Sequence, residues 1–408
     1  MSRDSVEQMR QARDGHYTDW HPPAMAALWR LAEHVYRGPI VMLLLQMTAF
    51  VAGLYLLLRR WLAPLPAAIA TLAVAWFPPL SSTIAVIWKD SQMLGYALLG
   101  VALLARGTRR SQLAALVALA AASAMRHNAF TLTCAPVVLL FAWPGLAGWR
   151  RYAVAVAVWL GVTAFGVGVN VALTDEHKHP WTDAGQIWDV VGMVADAPPM
   201  SDDDARELLA GTPFKVTANI QQRIADAYDP HLGLYHTWDQ GVLDQLATDD
   251  QRDAVDRAWW TLLREHPGAY VEHRANAFAE LLQLGTPSRT SIWVGYDPIG
   301  RDLHRDRGSA FQKSLRRWQV WFGSSWLYRP WLYLAASLVL VVVVVVVCKR
   351  DRLMIALAAS AVMSELPLFV IAPSSDFRYS VWLVAMTMVL AIAVAATTIR
   401  ARRGRSLP

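Results

Sequence analysis

Long apolar blocks constrain the fold of this chain more than any other feature. Each contains roughly 16 to 23 mostly hydrophobic residues, the length that a helix needs to cross about 30 Å of hydrocarbon. Of the 408 residues, 55% are hydrophobic and 17% are charged, whereas soluble domains carry about 25% charged residues. The pattern therefore predicts an all-α polytopic membrane protein. The basic residues behind the net charge of +6 cluster in short loops, so they do not indicate nucleic-acid binding.

Nine spans are predicted from these blocks, six in an N-terminal bundle over residues 38–174 and three in a C-terminal bundle over residues 329–398. The spans are predicted at 38–58, 63–80, 91–106, 111–126, 129–144, 152–174, 329–348, 352–371 and 378–398. Residues 24–37 have helical apolar spacing but are too short and too charged to span. We therefore interpret residues 1–37 as an outer loop that ends in an amphipathic helix.

The Lys and Arg residues of the short loops predict the orientation of the spans. With nine spans, all of the basic clusters can face the cytoplasm together: Arg59-Arg60, Arg106 with Arg109-Arg110, Arg150-Arg151, Lys349-Arg350 with Arg352, and the basic tail 399–408. The N-terminus and segment 175–328 then lie outside. Because a chain that starts outside is an awkward insertion substrate, we expect that a first transmembrane helix is missing from this sequence.

Segment 175–328 is predicted to be a mostly helical outer domain. It holds 23 of the 32 acidic residues and 15 basic residues, so its net charge is −8. Ser201 and the aspartates after it are typical of a helix start, and helical spacing recurs over 250–265 and 268–284. Both cysteines, Cys134 and Cys348, lie in apolar runs, so no disulfide framework is expected. The chain has no P-loop or other nucleotide motif, and no nucleotide cofactor is predicted.

Polar residues crowd at the predicted outer ends of the spans, where charge is costly and therefore a sign of function. The catalytic candidates are Asp4, Asp19 and Asp90, and the substrate-binding candidates are His21, Lys89, Arg126, His127, Asn128, Arg378 and Tyr379. Arg and Lys can bind a phosphate or diphosphate, and a carboxylate can deprotonate an acceptor hydroxyl or amine. Turn formation and anchoring at the membrane surface are the competing structural explanations. The scattered carboxylates leave a divalent metal undecided.

The opening stretch also carries a recognisable order of residues: Asp4-Ser5, Ala12, Gly15 through Asp19-Trp20, and His21-Pro22-Pro23. In this order, the N-terminal 130 residues resemble the GT-C superfamily of polyprenyl-phosphate-sugar-dependent glycosyltransferases. The resemblance is greatest to the branch of protein mannosyltransferases and lipid A aminoarabinose transferases. Ser5 stands where the mannosyltransferase branch has a second acid.

The resemblance implies a GT-C-like helix bundle in the inner (cytoplasmic) membrane. It also implies transfer of a sugar, with inversion, from a polyprenyl-phosphate donor to an envelope glycan, lipid or protein acceptor outside. Asp4 would be the catalytic base, although Asp19 stays open for that role, and Asp19 or Asp90 would orient the acceptor or a metal. The donor phosphate would be neutralised by three cations: Lys89, Arg126 and Arg378.

Two other classes of function remain open. A transporter or flippase of lipid-linked glycans needs polar residues within its spans and broken helices at the midplane. Such residues are few here, namely Gln46, Asn170 and Glu365. A non-enzymatic envelope assembly subunit would not depend on Asp4 or Asp90. The sequence does not identify the sugar, the acceptor or the oligomeric state.

Overall fold

The computed structural model describes residues 2–285, 309–323, 325–348, 351–372 and 374–405. Within these ranges every regular element is a helix, and the β-type pairings are two isolated bridges, Thr18 with Glu176 and Phe214 with Leu243. The predicted all-helical class is therefore confirmed.

The helices are numbered in chain order. The first nine are α1 (Arg3–Asp14), α2 (Ala24–Val35), α3 (Ile40–Leu58), α4 (Pro64–Ala75), α5 (Pro78–Ile84), α6 (Lys89–Leu104), α7 (Arg109–Met125), α8 (Ala129–Leu140) and α9 (Gly148–Leu173). The next six are α10 (Ile187–Asp196), α11 (Asp202–Leu208), α12 (Ile220–Ala227), α13 (Leu234–Asp239), α14 (Asp249–Glu265) and α15 (Pro267–Leu282). The last five are α16 (Ala310–Gly323), α17 (Pro330–Val346), α18 (Arg352–Glu365), α19 (Leu368–Ile371) and α20 (Val381–Arg405). A π-helical turn (Trp181–Gln186) precedes α10, and 3₁₀ turns precede α17 (Trp326–Tyr328) and α20 (Phe377–Ser380).

The chain divides into two compact units. The first comprises the described residues of Met1–Glu176, Arg289–Glu365 and Phe377–Pro408. The second comprises those of His177–Ser288 together with the short returning segment Leu366–Asp376. The apolar helices predicted as spans belong mainly to the first unit.

Among the described residues, four helices are long and apolar enough to cross a membrane: α3, α9, Arg352–Ile371 (α18 with α19) and Phe377–Arg402. The pair α4 and α5 is a fifth candidate if it counts as one broken span. Helices also occupy the other predicted positions, but they are short: α6 has 16 residues and α7 has 17, and the apolar helices α8 and α17 have 12 and 17. At 1.5 Å per residue the last two rise about 18 and 26 Å, less than the hydrocarbon thickness. The structure thus supports a helical membrane protein with four or five candidate spans, and nine spans remain a prediction.

The break between α4 and α5 follows from Pro78-Pro79. The two helices are bent by 75° relative to each other. A proline disfavours helical backbone in the residue before it, and Phe77 has φ −58° and ψ 125°. Since proline is well suited to the first helical position, a new helix begins at once. This helix, α5, is buried along its whole length and leads directly to residues 85–88, which precede α6.

Close packing of α3 against α6 positions the start of α6. A Cβ atom added to Gly53 of α3 would lie 2.5 Å from the backbone nitrogen of Leu99. One added to Gly95 of α6 would lie 3.0 Å from the carbonyl oxygen of Gln46. The glycines therefore allow the two backbones to approach more closely than side chains would permit.

Gln46 and Asn170, two of the polar residues within the predicted spans, bind backbone groups. Nε2 of Gln46 donates to the carbonyl oxygens of Ile84 at 2.6 Å and Val86 at 3.0 Å, in the non-helical chain that leads to α6. Oδ1 of Asn170 accepts a hydrogen bond from the backbone nitrogen of Ala24 at 3.0 Å. That nitrogen is one of the donors that a helix N-terminus leaves without an intrahelical acceptor. Both side chains thus have a structural role.

A helix, α1, occupies part of the opening stretch where a loop was predicted. Ser2 and Ser5 form a capping box at its start, and Gly15 ends it in the left-handed region with φ +71°. Both ends are signals that favour a helix, because each pairs terminal backbone groups. Asp4 consequently lies in a helical first turn, where the helix macrodipole favours a negative charge.

The second unit has its own apolar core around α10, α12 and α14. Asp189 is fully buried in it, accepts a hydrogen bond from Nε1 of Trp259 at 2.8 Å and pairs with Arg274. Arg274 also donates to the carbonyl oxygen of Ala372 at 3.0 Å, so it ties the returning segment to this unit. The helices predicted near 201–209, 250–265 and 268–284 are present as α11, α14 and α15.

Candidate functional site

Four charged residues from distant parts of the chain meet in the first unit. Asp4 and Asp90 lie in the first turns of α1 and α6, Arg126 follows α7, and Arg378 precedes α20. Nη1 of Arg378 donates to Oδ2 of Asp4 at 2.7 Å. The Nε atom of Arg378 lies 3.8 Å from Oδ2 of Asp90, and Arg126 donates to Oδ1 of Asp90. Carboxylates and guanidinium groups therefore alternate across the cluster.

The four side chains differ in burial. Asp90 is 1% exposed, Arg126 and Arg378 are each 15% exposed, and Asp4 is 27% exposed. A buried charge is costly unless it is paired, and Asp90 lies between two guanidinium groups at a helix N-terminus. Asp4 is therefore the more accessible of the two carboxylates.

Lys89 and His21 extend this series of contacts. Nζ of Lys89 lies 2.6 Å from Nδ1 of His21, and Nε2 of His21 lies 3.8 Å from Oδ1 of Asp4. When Lys89 is protonated, its ammonium group can only donate, so Nδ1 of His21 then accepts and the ring proton is on Nε2, facing Asp4. We call the residues joined by these contacts the charged site: Asp4, His21, Lys89, Asp90, Arg126 and Arg378.

Neighbouring charges shift the pKa values in the charged site. Burial raises the pKa of Asp4, but nearby cations, Arg378 first, outweigh burial and lower this pKa to about 2. Burial first, and then Lys89, lower the pKa of His21 to about 3 although Asp4 opposes them, so the ring is neutral at physiological pH. Lys89 precedes the predicted span 91–106, and burial together with Arg126 and Arg378 lowers its pKa to about 7. Asp4 is thus ionised, and Lys89 changes protonation near neutral pH.

Two aromatic rings lie against the arginines. Cζ of Arg378 lies 4.8 Å from the ring centroid of Trp88 and 5.6 Å from that of Tyr379. Cζ of Arg126 lies 5.0 Å from the same Tyr379 ring. Cation–π contacts of this kind hold a guanidinium group in place without neutralising it. Trp88 also donates from Nε1 to Oγ of Ser2 at 2.5 Å, which links the cap of α1 to the site.

The other predicted residues lie near this cluster. Burial, then Lys89 and Arg126, lower the pKa of His127, whereas Asp19 raises it. Asn128 precedes α8, and its buried Oδ1 has no hydrogen-bond partner among the described residues. Of the predicted catalytic residues, Asp4 thus pairs with Arg378, and Asp19 lies within electrostatic range of His127.

The sequence did not predict Trp88 or Gln8 as site residues. Gln8 lies one turn after Asp4 on α1 and is 2% exposed. Neither of its amide atoms has a hydrogen-bond partner in the part of the chain that the structure describes. Buried amides are almost always paired, so the unsatisfied amide of Gln8, one turn from Asp4, is a candidate contact for a substrate group. Nothing in the sequence indicates that a glutamine in a polar helix belongs to a site. Trp88 was indicated only by its position directly before Lys89.

Ser5 has a structural role. It is fully buried, and its Oγ donates to the carbonyl oxygen of Ile87 at 2.7 Å. The same side chain completes the capping box with Ser2. The Ser5 side chain therefore joins α1 to the chain before α6.

The charged site has the chemistry to bind an anion and to accept a proton. Three cations face two carboxylates, and His21 is neutral, so protonated Lys89 leaves one positive charge in excess. Among the described residues, no group of three or more His, Cys, Asp or Glu side chains is arranged to hold a metal ion.

No protein-family model, no curated protein and no solved structure matches the chain. Function is therefore inferred from the residues of the charged site.

Proposed function

We propose that this protein transfers a sugar from a polyprenyl-phosphate donor to an acceptor on the outer side of the cytoplasmic membrane. The observation that carries the proposal is the meeting of Arg126, Arg378 and Lys89 with Asp4 at the ends of apolar helices. Cations and an accessible carboxylate suit a phosphate leaving group and an acceptor proton, respectively. A site at helix ends also suits a donor whose lipid part lies in the bilayer.

The donor phosphate is proposed to bind Arg126, Arg378 and Lys89. The guanidinium fork of arginine matches two oxygens of a phosphate, whereas lysine acts as a point charge. Negative charge grows on the phosphate as its bond to the sugar breaks, and cations already in position stabilise this charge most in the transition state. Tyr379 contacts both guanidinium groups and so supports their orientation.

Asp4 is the proposed general base. Paired with Arg378, and with a pKa of about 2, it is a weak base in the structure as it stands. A bound donor phosphate would share Arg378, weaken this ion pair and raise the pKa of Asp4. Asp4 would then take the acceptor proton while the acceptor oxygen or nitrogen bonds to the anomeric carbon. The sugar–phosphate bond breaks at the same centre, and its electron pair leaves with the polyprenyl phosphate.

The other two carboxylates are proposed to have supporting roles. Asp90 is buried and pairs with Arg126 near Arg378, which suits a residue that holds both arginines in place. Asp19 lies within electrostatic range of His127 and is proposed to orient the acceptor.

Transfer of radiolabelled sugar from a panel of polyprenyl-phosphate sugars tests this proposal in membranes that contain the full chain. We expect Asp4→Asn to lower transfer by at least about 100-fold, the usual scale for loss of a general base. Asp90→Asn is also expected to lower transfer, because both arginines lose a negative neighbour. Glu7→Gln is the matched control, since Glu7 lies on the same helix, has a side chain that is 42% exposed and pairs with Arg10.

Full transfer by Asp4→Asn at equal expression would contradict the assignment of Asp4 as base. Absence of transfer from every donor, with folded wild-type protein and an acceptor present, would contradict the enzyme itself. That second outcome would favour a transporter of lipid-linked glycans or an assembly subunit.

A further inference from the structure

Helix α16 has a charge opposite to that of the segment around it. It carries Lys313, Arg316 and Arg317, all exposed, and no acidic residue. Segment 175–328, to which it belongs in sequence, holds 23 acidic and 15 basic residues. Lys and Arg are normally enriched on the cytoplasmic side, so a purely basic helix in a predicted outer segment calls for a physical reason.

Exposed aromatic side chains accompany these cations. Phe311 is 66% exposed and Trp321 is 72% exposed, whereas Trp318 and Phe322 are half-buried and pack edge to face with ring centroids 5.2 Å apart. At about 100° per residue, the three cations and the exposed Trp321 lie on one side of the helix, with Trp321 about 40° from Arg317. A tryptophan at headgroup level, beside Lys and Arg side chains that reach lipid phosphates, is typical of a helix at a membrane interface.

The position of α16 in the chain places it close to the bilayer. The 3₁₀ turn Trp326–Tyr328 and then α17, which begins at Pro330, follow it within a few residues. Trp326 in this turn is 66% exposed, and tryptophan is enriched at the level of lipid headgroups. With α17 as a predicted span, the same prediction places α16 directly before the point where the chain enters the membrane.

We propose that α16 binds the outer leaflet through anionic phospholipids. Trp321 enters the interface, and the neighbouring Lys313, Arg316 and Arg317 contact headgroup phosphates. Each basic residue near an anionic surface adds to this attraction, and the attraction is screened by salt. The inference needs α17 to span the membrane, but it does not depend on sugar transfer.

A spin label on the full chain tests the proposal. Cys134 and Cys348 are replaced by alanine, and Ser314→Cys carries the only nitroxide. Ser314 is exposed and lies two turns before Trp321 on the same side of α16. The chain is reconstituted in phosphatidylcholine vesicles with or without about 30% phosphatidylglycerol. Power-saturation spectroscopy then compares collisions of the label with membrane-dissolved oxygen and with a water-soluble nickel chelate.

We expect a label at headgroup depth, with nickel collisions that fall about twofold when phosphatidylglycerol is added. The variant K313Q/R316Q/R317Q should lose this response to the anionic lipid. The control R206Q/K215Q/R257Q removes the same charge from the second unit and should keep it.

Two results would overturn the proposal. One is a label as accessible to nickel as a nitroxide in bulk water. The other is an equal response to phosphatidylglycerol in the wild-type chain and in K313Q/R316Q/R317Q.

Discussion

Lys89 is the residue of the charged site whose protonation changes near neutral pH. Burial together with Arg126 and Arg378 lowers its pKa from 10.5 to about 7, and nearby carboxylates oppose this shift only in part. The pKa values of Asp4, about 2, and His21, about 3, lie well outside this range. A change of activity near pH 7 is therefore expected to report on Lys89.

The pH dependence of kcat/KM for the proposed transfer tests this expectation. As the pH rises through about 7, Lys89 loses the proton that makes it a partner for the donor phosphate. We expect kcat/KM to fall about tenfold between about pH 6 and pH 8. Lys89→Arg stays protonated over this range and should flatten the profile. The same decline in Lys89→Arg would assign the titration to another group.

At the scale of elements, the contact between α3 and α6 matters because α6 begins with Lys89 and Asp90. This contact depends on backbones that approach at Gly53, where an added Cβ would lie 2.5 Å from the backbone nitrogen of Leu99. Backbone cannot move aside as a flexible side chain can. An alanine at this position must therefore push the two helices apart.

Gly53→Ala should lower the free energy of unfolding by about 1–3 kcal/mol, the usual cost of overpacking. Thermal unfolding of the detergent-solubilised chain measures this effect. Gly161→Ala on α9 is the control, because a Cβ there meets no atom within 4 Å. It should leave stability unchanged or raise it slightly, since alanine favours a helix more than glycine does. Equal midpoints for the two variants would contradict the close approach of α3 and α6.

At the scale of the whole molecule, the basic clusters predict an orientation that the proposed function requires. A polyprenyl-linked donor outside the cytoplasmic membrane can meet the charged site only if the N-terminus faces outward. Arg59-Arg60, after α3, would then be cytoplasmic, and the acidic helices of the second unit would lie outside.

Labelling of single cysteines in intact cells tests this orientation, with Cys134 and Cys348 replaced by alanine. A cysteine at Asp203, whose side chain is 91% exposed, should react with a membrane-impermeant maleimide added outside. A cysteine at Arg60, which is also exposed, should react only after permeabilisation. The reverse pattern would place the N-terminus in the cytoplasm and would contradict an outer charged site.

The sequence by itself determined the all-helical class and the presence of apolar helices that can span a membrane, because apolar length and composition do not depend on what each helix packs against. It also identified Asp4, Asp90, Arg126 and Arg378 as candidates, since charge beside apolar spans is costly. It did not predict α1, although Ser2 and Gly15 are helix end signals, because the intervening residues are mostly polar and Val6, Met9 and Ala12 form only a narrow apolar stripe.

Only the tertiary structure decided which of these groups meet. Arg378 donates to Asp4 across 374 residues of sequence, and neither helical periodicity nor local charge can predict a contact between such distant positions. The low pKa of Asp4 and the burial of the Gln8 amide also result from contacts between distant parts of the chain. The packing of the helices sets the burial of each side chain and its distance from other charged groups, so neither is defined until the chain has folded.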